Sequence, residues 1–428
     1  MKCCKKTKRN FNQGKIPDEL ISHNALKVLQ RLHDSGYEAY LVGGCIRDIL
    51  LQIRPKDFDI ATNAHPEQVR KLFRNSRIIG RRFKLIHIIF GREIIEVATF
   101  RACHRKQNHQ NHMVQDSNSG RILRDNVYGT IQDDAARRDF TINALYYRHV
   151  GDQQKILDFS SGIKDLQRKK LRLLGDPEVR YREDPVRMLR AIRFAAKLNF
   201  NLAKTTAAPI RQLIFLLNDV PAARLFDEVL KLFLNGHGLQ SWHLLQTYEL
   251  FACLFPDAAL IMTQKKPAKL LFQETLRNTD ERVHNELPVT PAFLYAALLW
   301  HCVLQTAKRL QDSENISARI AMQKSFDEVI KKQCRIITIP KRFTIATCEI
   351  WDLQHALVRR HPEKITNIAA HPRFRAAYDL LIMREKSGES LNNAGKWWME
   401  YQKKNPVKRR SFTRRNSSEN SFKKQRQP

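Results

Sequence analysis

Two aspartates, Asp57 and Asp59, stand one residue apart in the run KDFDIAT. On an extended strand residues i and i+2 share a face, so both carboxylates project together while Phe58 turns to the interior. Side by side they repel unless a cation joins them. Magnesium suits the task, because a two-metal site activates an attacking hydroxyl and neutralises a departing pyrophosphate. A DxD pair alone is common on solvated strand edges, and its neighbours give it weight. Upstream, YEAYLVGG reads as a strand entering a double-glycine turn. Gly43 and Gly44 let backbone approach a phosphate, and the following helix turns its N-terminus toward the anion. Arg47, three residues beyond Gly44, is spaced to hold a triphosphate. Glu96 lies inside the apolar run EIIEVATF, where a carboxylate is costly unless paired or metal-bound. It is either a third member of the site or an arginine-paired structural residue.

Two later segments add chemistry. In Arg137-Arg138-Asp139-Phe140, adjacent guanidiniums precede a helix expected to begin at Asp139 or Thr141. They suit a triphosphate or a primer backbone, with Asp139 as a plain N-cap the alternative. In YREDPVR, Asp184 is a natural N-cap, Pro185 a natural first helical residue, and Arg187 lies one turn along on the same face. An acceptor beside a donor complements N6 and N1 of adenine, or N4 and N3 of cytosine, and mismatches guanine and uracil. The pair therefore excludes G and U without separating A from C. The bland alternative is a capped helix with an i,i+3 ion pair, worth about 0.3–0.5 kcal/mol.

The elements that must position these residues are legible in outline. Helical spacing over 18–35 stops at Gly36. KLIHIIF and EIIEVATF flank Gly91-Arg92 and read as a hairpin. Pro66 opens a short helix, EQVRKLF. Residues 102–126 are polar and loop-like. From 139 to 400 the pattern is mostly helical, with ILDF at 156–159 as the one strand-like interruption. The fold class is α+β. A mobile N-terminus (1–15) precedes a small mixed α/β head, or palm (16–150). A helical neck (151–250), a helical body (251–402) and a disordered basic tail (403–428) follow.

Among 428 residues, 75 lysines and arginines oppose 43 acids, a formal charge of +32. Such a field favours a polyanion, nucleic acid or an anionic membrane surface. The tail (Lys408, Arg409, Arg410, Arg414, Arg415, Lys423, Lys424, Arg426) suits a sequence-independent grip on RNA by counterion release. The eight cysteines show no paired spacing, and no run reaches the ~18 apolar residues of a membrane span. The expected location is the cytoplasm. Cys103, His104, His109 and His112 match no structural zinc spacing and read as solvated loop.

In order and spacing, LVGGCIRDILL…KDFDIAT, RRDFTINALYY and YREDPVRMLRAIRFAAKL resemble the head and neck of class II nucleotidyltransferases, the family of bacterial poly(A) polymerases and CCA-adding enzymes. The likeness is close over 36–235. RILRDNVYGTIQDDAARRDFTINALYY, TPAFLYAALLW, TIPKR and HPRFRAAYDLL are similar to the poly(A) polymerase branch and extend it to about residue 400. The resemblance implies two magnesium ions on Asp57 and Asp59 with Glu96 as third carboxylate. It implies ATP as substrate, and a nucleotide set of Gly43, Gly44, Arg47, Arg138, Asp139, Asn143, Asp184, Arg187 and Arg190. ILDFSSGIKDL resembles the head–neck hinge, and Arg224 an arginine that supports the neck helix, with Asp227 and Glu228 as structural partners. The implied activity is untemplated polyadenylation of RNA 3′ ends by a monomer, with RNA-decay proteins as further partners. CCA addition to tRNA is the close rival, and a catalytically dead RNA-binding palm the distant one.

Overall fold

The computed structural model describes residues 16–80, 84–102, 127–151 and 153–405. The Cys103/His104/His109/His112 group, residues 1–15, most of the 102–126 segment and the basic tail beyond 405 lie outside the described residues.

Seven strands form one mixed sheet: β1 (Ala39–Val42), β2 (Asp59–Thr62), β3 (Ser76–Ile79), β4 (Leu85–Phe90), β5 (Glu93–Thr99), β6 (Leu145–Val150) and β7 (Gln153–Asp158). Their spatial order is β3-β4-β5-β2-β1-β6-β7. The β2–β5 pair is parallel and the others are antiparallel. Alternation along each strand divides the faces. Leu41, Ile60, Ile86, Ile95 and Val97 face the main core. There α1 (His23–Asp34) brings Ala25, Val28, Leu29 and Leu32 at helical spacing, with Ser22 Oγ capping its first turn. Gly36, at φ 83°, follows that helix as expected. The helix α2 (Gly44–Leu50) follows β1, and α3 (Pro66–Leu72) starts on its proline. On the opposite face Tyr40, Val42, Ala61, Phe100 and Tyr146 form a smaller core with Ile131 and Ala135 of α4 (Ile131–Arg137).

Three expectations need correction here. No α-helix begins at Asp139 or Thr141: the helix that starts at Thr141 is a single 3-10 turn, Thr141–Asn143, which leads into β6. The mostly helical reading from 139 missed β6, whose aromatic run finds partners on both sides in β1 and β7. The head does not end at 150, which falls inside the β6–β7 hairpin. The hairpin about Gly91-Arg92 stands as read, with Phe90 opposite Glu93.

Beyond the sheet, α5 (Gly162–Gln167), α6 (Pro177–Glu183) and α7 (Val186–Leu198) lead into the neck. Further helices follow, among them Lys266–His284, Pro291–Glu314, Lys341–Arg359 and Ala394–Lys404. Buried indoles tie them together: Trp351 Nε1 donates to the Ala296 carbonyl at 2.9 Å and Trp398 Nε1 to that of Leu357 at 2.8 Å. One apolar cluster runs from Ile16 to Trp398, so palm, neck and body share a core. The described cysteines are free thiols. Among the described residues no helix is long and apolar enough to cross a membrane.

Gly162 sets how tightly the palm meets α5. A Cβ there would stand 2.3 Å from the Thr141 carbonyl oxygen, two residues before Asn143. Gly162→Ala should lower stability by about 1–3 kcal/mol in urea unfolding, the scale of overpacking against a backbone that must shift.

Candidate active site

A row of same-face residues crosses the sheet. Register pairs His87 of β4 with Glu96 of β5, Glu96 with Asp59 of β2, Asp59 with Val42 of β1, and Val42 with Tyr146 of β6. Cross-strand partners share a face. The row thus brings Glu96 beside Asp59, on the side of the sheet that carries α4. Asp57 precedes β2 and is exposed, as is Asp59, with Phe58 buried between them. The alternation expected from KDFDIAT is present. Asp59 keeps part of its surface in solvent, yet crowding about its carboxylate strips hydration and, with the charges of Glu96 and Asp57, pushes it up to about 6, Arg138 opposing. Three carboxylates close enough to feel one another, with one guanidinium near, make a strongly negative patch that a divalent cation would relieve. Among the described residues no three acidic, histidine or cysteine side chains close into a ready cage. Two aspartates with phosphate oxygens and water are a donor set that suits magnesium. Glu96 has a histidine partner instead of an arginine: His87 Nε2 lies 3.2 Å from its Oε2.

The glycine turn stands beside this row. Gly43 adopts φ 78°, ψ −121°, and its N–H donates to the Leu145 carbonyl at 3.1 Å. A Cβ at Gly43 would lie 3.2 Å from Arg138 Nη1, so glycine is needed for its conformation and for the closeness of that guanidinium. Arg138 is thus one cation at the turn, and Arg47 is a second: a Cβ at Gly44 would lie 3.6 Å from Arg47 Nη2. Burial alone would lower the Arg138 guanidinium, but Tyr146 and Asp134 outweigh it and hold it raised.

Arg47 is placed otherwise than its spacing suggested. It is 3% exposed. Its Nε donates to Asp48 at 2.8 Å, its Nη1 to Asn143 Oδ1 at 2.7 Å, and it lies over the Phe194 ring at 5.3 Å. A guanidinium so engaged braces the glycine turn from beneath. Asn143 passes the link on, donating to Asp139 Oδ1 at 3.3 Å. Asp139 Oδ2 then accepts from Arg190 of α7, through Nε at 3.0 Å and through Nη2. Asp139, Asn143 and Arg190 thus form, with Arg47 and Asp48, a buried relay clasping palm to neck. Phe194 reinforces it, edge-on to Phe140 at 5.6 Å and under Arg190 and Arg193 as well. Arg180 of α6 adds a second clasp, donating to the carbonyls of Arg137 and Arg138 and so capping the end of α4.

At the start of α7, Asp184 caps as expected: its Oδ1 accepts from Val186 N at 3.3 Å and its carbonyl from Arg187 N at 3.0 Å. The Asp184–Arg187 ion pair, the bland alternative for this segment, does not form. Asp184 Oδ2 accepts from Arg224 Nη2 at 2.7 Å. Arg187 Nη1 donates to Glu183 at 2.9 Å and to the Arg180 carbonyl at 2.7 Å. Arg224 therefore does support the neck helix. Asp227 is exposed, while buried Glu228 accepts from Lys231 at 2.9 Å.

His87, Asp134, Tyr146, Arg180 and Phe194 went unread in the sequence. Two had a signal: Asp134 and Arg138 have i,i+4 spacing, and counting outward from Gly91-Arg92 puts 87 opposite 96.

Asp139 is held below its ordinary value. Burial alone would raise it, but the Arg190 charge and hydrogen bonds from Arg190, Asn143 and Phe140 N overcome that. A depressed folded value means the stabilisation is complete above the ordinary carboxylate range and fades as pH falls through the folded value. Arg190→Met, which leaves the Asp139 carboxylate short of a partner, should cost about 1–3 kcal/mol at neutral pH, less than a fully buried pair because Arg190 is half-buried. The deficit against the parent, followed by denaturant titration, should shrink as pH drops below the carboxylate range.

Family models match the chain in three places: "Poly A polymerase head domain" over 39–172, "Probable RNA and SrmB- binding site of polymerase A" over 199–262, and "Polymerase A arginine-rich C-terminus" over 314–428. Poly(A) polymerase I of Escherichia coli O157:H7 is 49% identical over 395 residues, 91% of this chain and 84% of that protein. The CCA-adding enzyme of Lactobacillus helveticus is 37% identical over 230 residues, 54% of each. A solved CCA-adding enzyme of Bacillus stearothermophilus in complex with CTP matches at TM-score 0.56 and 23% identity, covering 90% of this chain and 82% of that one, a likeness of fold alone. The likeness to CCA-adding sequences thus spans about half the chain, whereas the likeness to bacterial poly(A) polymerases runs through palm, neck and body. The chain belongs to the bacterial poly(A) polymerase family of nucleotidyltransferases.

Proposed function

We propose that the chain adds adenylate residues to RNA 3′ ends without a template. The 3′-oxygen bonds to the α-phosphorus of ATP, the bond to the α–β bridging oxygen breaks, pyrophosphate leaves, and the hydroxyl proton passes to solvent water. The observation that carries this reading is the same-face row of Glu96 and Asp59 beside the Gly43 turn and Arg138. It brings carboxylates suited to a metal and a guanidinium suited to phosphate to one side of one sheet.

Asp57 and Asp59 would hold two magnesium ions, whose charge would lower the pKa of the 3′-hydroxyl and neutralise the triphosphate. Glu96 stands as the third carboxylate, turned by His87. Gly43 and Gly44 give the phosphates room, and Arg138 faces them. The relay through Arg47, Asn143, Asp139 and Arg190 acts one step removed, fixing the palm against α7. Asp184 and Arg187 at the head of α7 read the base edge: the carboxylate accepts from N6 of adenine and the guanidinium donates to N1. This requires Asp184 to share its carboxylate with Arg224, while Arg187 turns nitrogens unused by Glu183 toward the base. Body and basic tail hold RNA through its phosphates, in keeping with the +32 charge. On this reading the enzyme works as a cytoplasmic monomer that promotes RNA turnover beside RNA-decay proteins.

Primer extension tests the proposal. A short RNA, magnesium and ATP alone should give a long ladder, while GTP and UTP give none. Asp57→Ala and Asp59→Ala should each lose about a thousandfold or more in rate. Additions that stop after a few residues and need CTP with a tRNA end would transfer the chain to the CCA-adding activity.

A further inference from the structure

The Arg138 guanidinium is held at two of its three nitrogens. Nε donates to Tyr146 Oη at 2.9 Å and Nη2 to Asp134 Oδ2 at 3.3 Å. The Tyr146 hydroxyl in turn donates to the same Asp134 oxygen at 2.5 Å, closing a three-membered ring of hydrogen bonds. The guanidinium also lies 5.2 Å from the centre of the Tyr146 ring. The remaining nitrogen, Nη1, is the one against Gly43. Tyr146 is fully buried and belongs to the small core under α4, so its ring cannot wander. Asp134 is anchored too, accepting from the Arg101 N–H through its other oxygen at 3.3 Å.

A core tyrosine needs one partner for its hydroxyl, and Asp134 alone would satisfy it. Accepting from Arg138 as well gives this hydroxyl a second task. An arginine side chain otherwise samples many rotamers, and ordering it only when a ligand arrives would cost affinity. The ring fixes it beforehand, with one nitrogen aimed at the glycine turn. The geometry points to Tyr146 and Asp134 as positioning residues that hold Arg138 ready for the polyphosphate of the incoming nucleotide. This rests on the reading of the turn as the triphosphate site.

The test uses the full chain and two probes, ATP and inorganic tripolyphosphate, each titrated without RNA. Tyr146→Phe keeps the buried ring and deletes the hydroxyl. Affinity for both probes should fall about tenfold, the scale of one hydrogen bond to a charged group. In extension assays the KM for ATP should rise with kcat within about twofold and RNA affinity unchanged. In an Arg138→Lys background, which weakens binding by itself, Tyr146→Phe should add no further loss. Tyr146→Phe binding both probes like the parent, or losing as much again in the Arg138→Lys background, would overturn the assignment. If Tyr146→Phe melts below the assay temperature, Asp134→Asn carries the same two comparisons. Tripolyphosphate binding is read without catalysis, so a parent enzyme that fails to extend RNA would sink the functional proposal and leave this one to be judged separately.

Discussion

The buried relay from Asp48 through Arg47, Asn143 and Asp139 to Arg190 is the constraint on which the site depends. It takes the Arg47 guanidinium and the Asp48 and Asp139 carboxylates largely out of bulk water, with Arg190 half-buried at its end, a costly move unless each finds its partner. Each does: Arg47 has Asp48 and Asn143, and Asp139 has Arg190, Asn143 and a backbone N–H. Such a chain stabilises less than its ion pairs suggest, because desolvation offsets much of the attraction. What it gives is uniqueness of arrangement. The palm carries the carboxylates and the neck helix carries Asp184 and Arg187, and a slip between them would separate metal site from base site.

The second constraint is electrostatic. Glu96, Asp59 and Asp57 stand on one side of the sheet with Arg138 nearby, and the other two carboxylates help push Asp59 up. The fold sustains this because the surrounding sheet is over-determined, with hydrophobic cores on both faces. Sites of this kind exchange stability for affinity toward the ions and phosphates that relieve them. Single glycine, tyrosine and aspartate contacts around Arg138 then decide where its charge points.

Much of this was legible in the sequence, for local reasons. The glycine stop at 36, the Pro66 helix start, the hairpin about Gly91-Arg92 and the outward pair Asp57 and Asp59 all depend on residues close in the chain. The strand β6 was not legible, because LYYRHV gains its partners from β1 and β7, the first of them a hundred residues away. The destinations of long cationic side chains were also hidden. Arg47 sits at a spacing that fits a phosphate, yet Asn143, far along the chain, draws it inward. Asp184 and Arg187 stand one turn apart, but Glu183 at i−4 takes Arg187 and the distant Arg224 takes Asp184. Helical spacing says which residues are neighbours, and competition among partners decides which of them bond.

The most direct measurement is a crystal structure of the full chain with magnesium and a non-hydrolysable ATP analogue. The account predicts metal density between Asp57 and Asp59, the triphosphate over Gly43 and against Arg138, and adenine facing Asp184 and Arg187, with Arg47 still buried on Asn143. A triphosphate held by an Arg47 drawn out of its pocket, or a base lying away from the head of α7, would contradict it.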